Sequence, residues 1–594
     1  MKSVLAHMQL RTENRLHFVS LFICHSGGIF LNTRHYFRLL KRFLLNDTKG
    51  DDAGDTPLAP LKGGMFRGYF MRCARKLILR FSIFIILASC LLAFPRTIHA
   101  QSADVPLQHA IYPFLERLVA YLPQHALDLH VIPISRAQTL GILQEAEAAQ
   151  LALSHADQAL LKQYLAEFTD SKAGERMPAN GERHFLRYEE GSAQLFADLF
   201  GSQRFEAQRG AWPEGANEIS RTRAGVRMRA QLPPRLLLAA EVSNILERGI
   251  EDSTEIFQPG SGSPVVLSGQ SAFRETAIAY GRVRLPWFEI EAGRNHFSWN
   301  VSPLTQLALA RDNQPFDLVR FDARWRKFRF VFAHVNLRAS SRKFLAAHRL
   351  EVMPFSNFLF GVGESVIYGK RAAEFEYLNP LMLYHAAEHL LGDKDNNVLT
   401  LDFSYFPKRG LKLYSEIFID DLSLEFPVGT YFGNKLAYLA GAFWVQPFGW
   451  RDADLRFEYA RIDPFVYTHD DSANIYENDG EALGERFGPN ADRVLLQLGY
   501  QPHRDLRFVN RLQFHRNGRG NLFAPHREAD GLSKGFLKGK VARTFAWHFE
   551  VEDQIRRDIY MGLEFDWERL RNSNFIRGTA NTRRRAAFFL RADF

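Results

Sequence analysis

Cysteine is nearly absent from this sequence, and its placement excludes more than its scarcity does. Cys24, Cys73 and Cys90 are the only three, all within the first 100 of 594 residues. The remainder can hold no disulfide, no thiolate metal site and no cysteine nucleophile, which suits an exported chain that passes through an oxidising periplasm. A basic excess is missing from the same region. The whole chain carries 75 Lys and Arg against 66 Asp and Glu; residues 1–100 take 15 and 5 of them, leaving 60 against 61 beyond. The nucleic-acid reading invited by a net charge of +9 therefore applies only to the leader. Long apolar runs are lacking too. Phe81–Phe94 falls short of the roughly 20 residues that a membrane-crossing helix needs.

That run is better explained as the centre of a signal peptide. Met71-Arg72-Cys73-Ala74-Arg75-Lys76 supplies the positive flank and Ile98-His99-Ala100 a small residue before a cleavage point at Gln101. Residues 65–100 form the signal, and residues 1–64 are an overlong start, since translation from Met65 or Met71 would give the signal its usual position. A competing reading takes Leu87-Ala88-Ser89-Cys90 as a lipobox with Cys90 lipidated. The apolar run continues past it through Phe94, as an ordinary signal would.

Residues 101–183 read as a small helical domain and linker. Ile111, Leu115, Leu118, Val119 and Leu122 recur at three and four, the spacing of one helix face, and Pro123 stops the pattern. Ser135 with Gln138, and Ser154 with Asp157, are spaced as capping boxes that open two further helices. Ser171–Arg183, with Gly174, Pro178 and Gly181, is a linker.

Beyond the linker the period becomes two. Ala224, Val226, Met228 and Ala230 alternate with Arg223, Gly225, Arg227 and Arg229; Phe321, Ala323 and Trp325 alternate with Asp322, Arg324 and Arg326; Leu506, Phe508, Leu512 and Phe514 alternate with Arg507, Arg511 and Gln513. Many of these runs reach ten residues, the length a tilted strand needs to cross a bilayer. Short connections at 232–235, 285–287, 326–327, 353–356, 406–410, 446–454, 501–505 and 545–547 alternate with longer polar segments. Transmembrane barrels alternate in this way, with tight periplasmic turns and long outer loops. Counting a first strand near Gln194–Gly201 and a loop from about 202 to 220, residues 184–594 form an antiparallel transmembrane β-barrel of about eighteen strands. The end of the chain, Arg584 to Phe594, keeps the alternation and closes the barrel against the first strand. A final Phe594 resembles the signal read by the barrel-assembly machinery.

Three stretches resemble the Wzi family of capsule-assembly proteins. Tyr112-Pro113-Phe114-Leu115-Glu116-Arg117-Leu118 with Ile132-Pro133-Ile134-Ser135-Arg136 is similar to its N-terminal helical signature. Ala292-Gly293-Arg294-Asn295-His296-Phe297-Ser298-Trp299 resembles a strand-end GR...W pattern, with Asn300 where a glycine is expected. Tyr377-Leu378-Asn379-Pro380-Leu381, Asp395-Asn396-Asn397-Val398-Leu399 and Glu416–Asp421 resemble the central segment. The resemblance covers roughly residues 105–594. It implies an eighteen-strand outer-membrane barrel, closed by helices on the periplasmic side, that anchors capsular polysaccharide at the cell surface without enzymatic activity.

Candidate contacts to such a polymer are aromatic faces and carboxylates at strand ends and loops: Trp299, Tyr377, Tyr384, Asp420, Asp421, Tyr467 and Tyr476. Arg223, Arg227, Arg229, Arg324, Arg507 and Arg511 occupy inward positions. They could fork anionic groups on a glycan, or simply pair with Asp322, Glu289, Glu291 and Glu458 across the lumen. An arginine-lined open lumen would instead make the protein a porin-like channel for small anionic solutes or saccharides. His296 and Ser298 lie two apart on one strand end, which leaves a lipid hydrolase as a third class, yet no supporting acid or oxyanion donor accompanies them. His385 and His389 have a metal-like spacing in a loop without a third ligand. The expectation is therefore no metal, no cofactor and no catalytic residue, with polysaccharide, outer-membrane lipid and the assembly machinery as partners of a monomer.

Overall fold

The computed structural model describes residues 102–169, 184–210, 218–233, 235–249 and 265–593. The leader, Cys90, the linker and Phe594 lie outside the described residues.

The helical domain comprises α1 (Ile111–Tyr121), α2 (Ala126–Leu129), α3 (Arg136–Ala148) and α4 (His155–Phe168). Ile111, Leu115, Leu118, Val119 and Leu122 are all buried, so the face marked by spacing is the packed one. Ser135 and Gln138 form the reciprocal capping box at α3, while Ser154 accepts from the Asp157 amide and caps α4 without the return bond.

Eighteen long strands follow: β1 (Ala193–Arg209), β2 (Glu218–Leu232), β3 (Leu236–Arg248), β4 (Ser271–Arg284), β5 (Phe288–Asn295), β6 (Phe316–Trp325), β7 (Phe328–Asn336), β8 (Lys343–Phe355), β9 (Phe358–Gly369), β10 (Asn396–Lys408), β11 (Leu411–Asp421), β12 (Lys435–Val445), β13 (Ala453–Ile462), β14 (Ala491–Tyr500), β15 (Leu506–Asn517), β16 (Ala542–Arg556), β17 (Ile559–Arg571) and β18 (Ala580–Asp593). Each pairs antiparallel with its neighbour, and β18 pairs with β1 from Arg584↔Arg209 to Asp593↔Phe200, closing the barrel. Closure removes the unpaired edge that hydrocarbon cannot tolerate. Val226, Val242, Ile290, Val319, Phe457, Leu496, Leu563 and Leu590 stand exposed around the outside. In water that girdle would be an aggregation surface; in a bilayer it is the lipid-facing band.

Two boundaries differ from the reading of the sequence. β1 runs on to Arg209, because Phe205 and Ala207 continue the outward set while Arg204 and Glu206 continue the inward one. The turn expected at 545–547 lies inside β16; the chain reverses instead at Arg557-Asp558, where Asp558 takes φ 63°. Phe545, Trp547 and Phe549 all face outward in phase, opposite Phe514, Leu512 and Asn510. An unbroken alternation gives no reason to turn there.

The lumen is filled along one side. Phe297, Trp299, Val301, Leu307 and Leu309 of the segment between β5 and β6 pack against Val331, Ala333, Leu345, Ile367, Phe418 and Leu439 of the wall. This segment folds down from the long-loop end and meets the helical domain, where Ser298–Trp299 pairs with Val131–Ile132 as a two-stranded sheet. From the short-turn end, α1 enters the mouth: Arg117 bridges Asp157 and Asp454 at 2.6 and 2.8 Å, and Arg456 reaches Glu116 at 2.6 Å. Chain that belongs to the barrel therefore enters it from both ends and fills one side of the lumen.

A pH dependence follows at this seat. Burial alone would raise the Asp128 carboxyl, but Arg324 and His125 outweigh it and hold the group down at about 2. For His125, burial opposes charge, yet hydrogen bonds to Asp128 and Glu145 carry it above its ordinary value of 6.5. A depressed acid stabilises above its unfolded value, about 3.9, and loses that contribution as pH falls toward 2. A raised histidine stabilises below 6.5 and loses it as pH rises through its folded value. Hydrogen exchange of Ala126–Leu129, corrected for intrinsic rates, should be slowest between about pH 4 and 6.5. His125→Gln should remove the upper limit but not the lower one, and a profile flat in wild type would refute the assignment.

Candidate functional site

The long-loop end is built by three segments that follow β11, β13 and β15. Lys534 staples them: its Nζ donates to the Asn434 carbonyl at 2.7 Å and to Asp463 at 2.6 Å, and its amide donates to the Thr430 carbonyl at 2.8 Å. Lys534 is 5% exposed, so the pair works in a low-dielectric setting where losing one partner is costly. Phe432 N donates to Leu532 O at 3.1 Å alongside it. This lacing brings five rings into one row. Phe426 stacks on Tyr431 at 4.1 Å, Tyr431 meets Phe432 at 4.8 Å, Phe432 stacks on His526 at 3.5 Å, and His526 meets Phe465 edge-on at 5.2 Å. Phe426 is exposed and the other four are half-buried. A row of partly solvated aromatic faces offers sugar rings an apolar surface whose rims are open to hydroxyl hydrogen bonding.

The residues singled out in the sequence sit elsewhere. Trp299, Tyr377, Tyr384, Tyr467 and Tyr476 are all at most 1% exposed and Asp420 is buried; of the set only Asp421 is exposed, and it is bridged to Lys435. A ring covered on both faces cannot stack on a glycan, so the five aromatics serve here as packing, while Asp421 stays at the surface. Trp299 lies in the lumen against β9, where Gly363 leaves the room it needs: a Cβ there would stand 2.8 Å from the indole. Tyr467 and Tyr476 stack on each other beneath the outer loops; the Tyr467 amide donates to Asp420 at 2.7 Å and its hydroxyl to Leu307 O at 2.6 Å.

Tyr377 and Tyr384 belong to the segment between β9 and β10, which folds down over the outer wall and includes helix α5 (Tyr384–Leu391). Their rings cover Phe332, Ala346, Val366 and Tyr368. The amides of Tyr384 and His385 donate to Glu364 at 2.9 and 2.7 Å, and His348 completes the site. A carboxylate on the lipid-facing side is thereby capped by a helix N-terminus. His385 and His389 face each other on α5, a helix and not the loop expected. Among the described residues no three His, Cys, Asp or Glu groups are placed to hold a metal ion.

The inward arginines are tied to wall and plug. Arg223 and Arg227 share Glu241 at 3.3 and 2.8 Å, Arg324 pairs with Asp128, and Arg511 donates to Gln497 at 2.9 Å. Arg229 lies over Phe196, and Arg507 faces a cavity of about 330 Å³ with Glu550 and Glu552. Of the acids named with them, Asp322 binds Arg329 at 2.7 Å and Glu291 binds Arg320 at 3.0 Å. Ser298 Oγ donates to the Leu309 carbonyl at 2.7 Å in a buried setting, so its proton is already committed.

A family model described as capsule assembly protein Wzi matches residues 271–584, more than half of the chain. The chain belongs to the Wzi capsule-assembly family. The stretches that resemble the family take defined positions. The helical signature and the GR...W stretch meet in the Val131–Ile132 and Ser298–Trp299 sheet. Gly293 takes φ 135°, where a Cβ would stand 2.3 Å from Ala279 O. Asn300, in place of a glycine, donates to Leu129 O at 3.0 Å and accepts from Gln306 at 2.9 Å, tying the lumen segment to the helices. In the central segment the Tyr377 hydroxyl donates to Asp395 at 2.7 Å.

Among solved structures, Wzi of Escherichia coli, described as an outer-membrane protein involved in group 1 capsule assembly and a carbohydrate-binding β-barrel, matches with a TM-score of 0.51 and 13% identity, covering 80% of this chain and 97% of that one. At that identity the likeness concerns the fold. OccAB1 of Acinetobacter baumannii and OccD3 of Pseudomonas aeruginosa each give a TM-score of 0.40, at 8% and 10% identity, covering 67% of this chain and 96% and 91% of theirs. No curated protein sequence matches. An even-stranded, closed antiparallel barrel with an apolar outer band places this Wzi-family chain in the bacterial outer membrane.

Proposed function

We propose that this chain is a lectin-like protein, without enzymatic activity, that holds capsular or exported polysaccharide at the outer surface. Family membership and the carbohydrate binding described for Wzi of Escherichia coli support the reading. The observation that carries it is the aromatic row Phe426–Tyr431–Phe432–His526–Phe465, displayed above a lumen that chain enters from both ends. A polymer that stays outside needs a face and not a pore. The same reading includes an export signal at residues 65–100, recognition of Phe594 by the assembly machinery, and a monomeric barrel surrounded by lipid.

The test is to delete the gene, restore it as wild type or as Phe426→Ala/Tyr431→Ala/Phe432→Ala, and measure surface sugar in cell-bound and released pools. Deletion should move most of the sugar into the released pool, and the triple variant should do the same at unchanged barrel abundance. An unchanged partition on deletion would reject anchoring. Rescue by the triple variant would reject the aromatic row.

A further inference from the structure

The outer wall on the far side of the barrel from α5 carries a second feature. Arg209, Arg248, Arg543, Arg569, Arg571 and Arg584 are all exposed and all on the outward face of β1, β3, β16, β17 and β18. Two pairs stand directly opposite across neighbouring strands, Arg543↔Arg571 and Arg584↔Arg209. Like charges in that position repel. None of the six side chains has a hydrogen bond or ion pair among the described residues. One acid, Glu218, shares the row. Inside the same barrel arginines are paired with carboxylates, so an unbalanced row outside is not how this chain treats its charges in general.

The row lies one step toward the long-loop end from the apolar band, above Phe545, Trp567 and Ala586 on the same outward faces. Directly beside it the wall is concave. A groove of about 720 Å³ is lined by Phe205, Ala207, Phe549, Leu563, Phe565 and Ala586, with Arg248 at its margin. Alanines leave the floor low between the phenylalanine rims.

We propose that this wall binds a phosphorylated glycolipid of the outer leaflet, of the lipid A type, with phosphates on the arginine row and acyl chains in the groove. The arginines span six adjacent strands, β16 to β3, spaced about 4.8 Å apart. A lone phosphate would satisfy one opposed pair, whereas a headgroup with two phosphates and several chains can engage both opposed pairs and the groove together. The inference rests on the long loops facing outward, and is independent of whether the aromatic row holds a polysaccharide.

The experiment uses the mature protein in detergent micelles, with bisphosphorylated lipid A, its dephosphorylated form and phosphatidylglycerol as probes, and native mass spectrometry as readout. Wild type should retain bisphosphorylated lipid A in preference to both other lipids. Arg209→Gln/Arg543→Gln/Arg571→Gln/Arg584→Gln should weaken retention by at least about tenfold, while the matching four Arg→Lys changes keep most of it. Both variants should remain heat-modifiable on gels, reporting a folded barrel. Equal retention by the glutamine variant, or no preference for the phosphorylated form, would overturn the proposal, and so would phosphatidylglycerol bound as tightly as lipid A.

Discussion

Replacing Arg117 with alanine is expected to undock α1 from the barrel. The guanidinium forks onto Asp157 at 3.1 and 2.6 Å and reaches Asp454 of β13 at 2.8 Å, with the arginine 2% exposed. Two carboxylates are thus held in a water-poor seat by a single cation, one from the helical domain and one from the wall. Removing that cation strands both, and breaking a buried pair from one side costs about 3–5 kcal/mol. The barrel has its own ladder of backbone bonds and does not depend on this contact, so the loss falls on docking. Exchange at Ile111–Tyr121 should accelerate on the order of a hundredfold or more, with strands β10 to β13 unaffected. Arg117→Lys keeps the charge but cannot serve three oxygens in a planar fork, so it should fall between the two. Exchange at α1 unchanged by the alanine variant would show that apolar packing alone seats the domain.

How far the sequence could show this arrangement depends on which face of each strand met which environment. Where the inside is wet and the outside greasy, as at Arg223 to Ala230 or Leu506 to Phe514, alternation was clear and the strands fell where expected. From β7 to β9 both faces are apolar, because the lumen there is a core: Phe330-Val331-Phe332-Ala333 gives no period-two signal of its own. The plug was half legible. Helix spacing and caps announced α1, α3 and α4, but nothing in residues 296–315 says that a connection on the outer side folds inward. The burial of the candidate tyrosines was hidden for the same reason. Tyrosines in polar loops looked available, yet Tyr467 and Tyr476 sit under loops that fold back. The exposed row did leave a trace, in Tyr431-Phe432 set among Pro427, Gly429 and Gly433, where turn-forming residues leave rings little to pack against.

The occlusion has a second anchor, and cutting it should expose the lumen from outside. Glu416 of β11 accepts the amides of Leu307 at 3.1 Å and Ala308 at 3.2 Å, while Glu458 of β13 accepts from the hydroxyls of Ser302, Thr305 and Tyr414. Two wall carboxylates therefore satisfy two amides and two hydroxyls of the inward segment, and each donor left buried without a partner costs about 1–3 kcal/mol. Glu416→Ala/Glu458→Ala should let the segment leave the lumen for part of the time. The lack of cysteine beyond residue 100 makes this measurable, since Ala308→Cys, at a fully buried position, is the sole thiol beyond that residue. Its labelling by a membrane-impermeant maleimide should be very slow in an otherwise wild-type barrel and on the order of a hundredfold faster with both glutamates removed. The helices still close the other mouth, so neither wild type nor the double variant should carry sustained current in a planar bilayer. Adding Arg117→Ala should produce it. Current through the wild-type barrel would mean that the two plugs do not seal, and the case for a surface anchor over a channel would lose its structural basis.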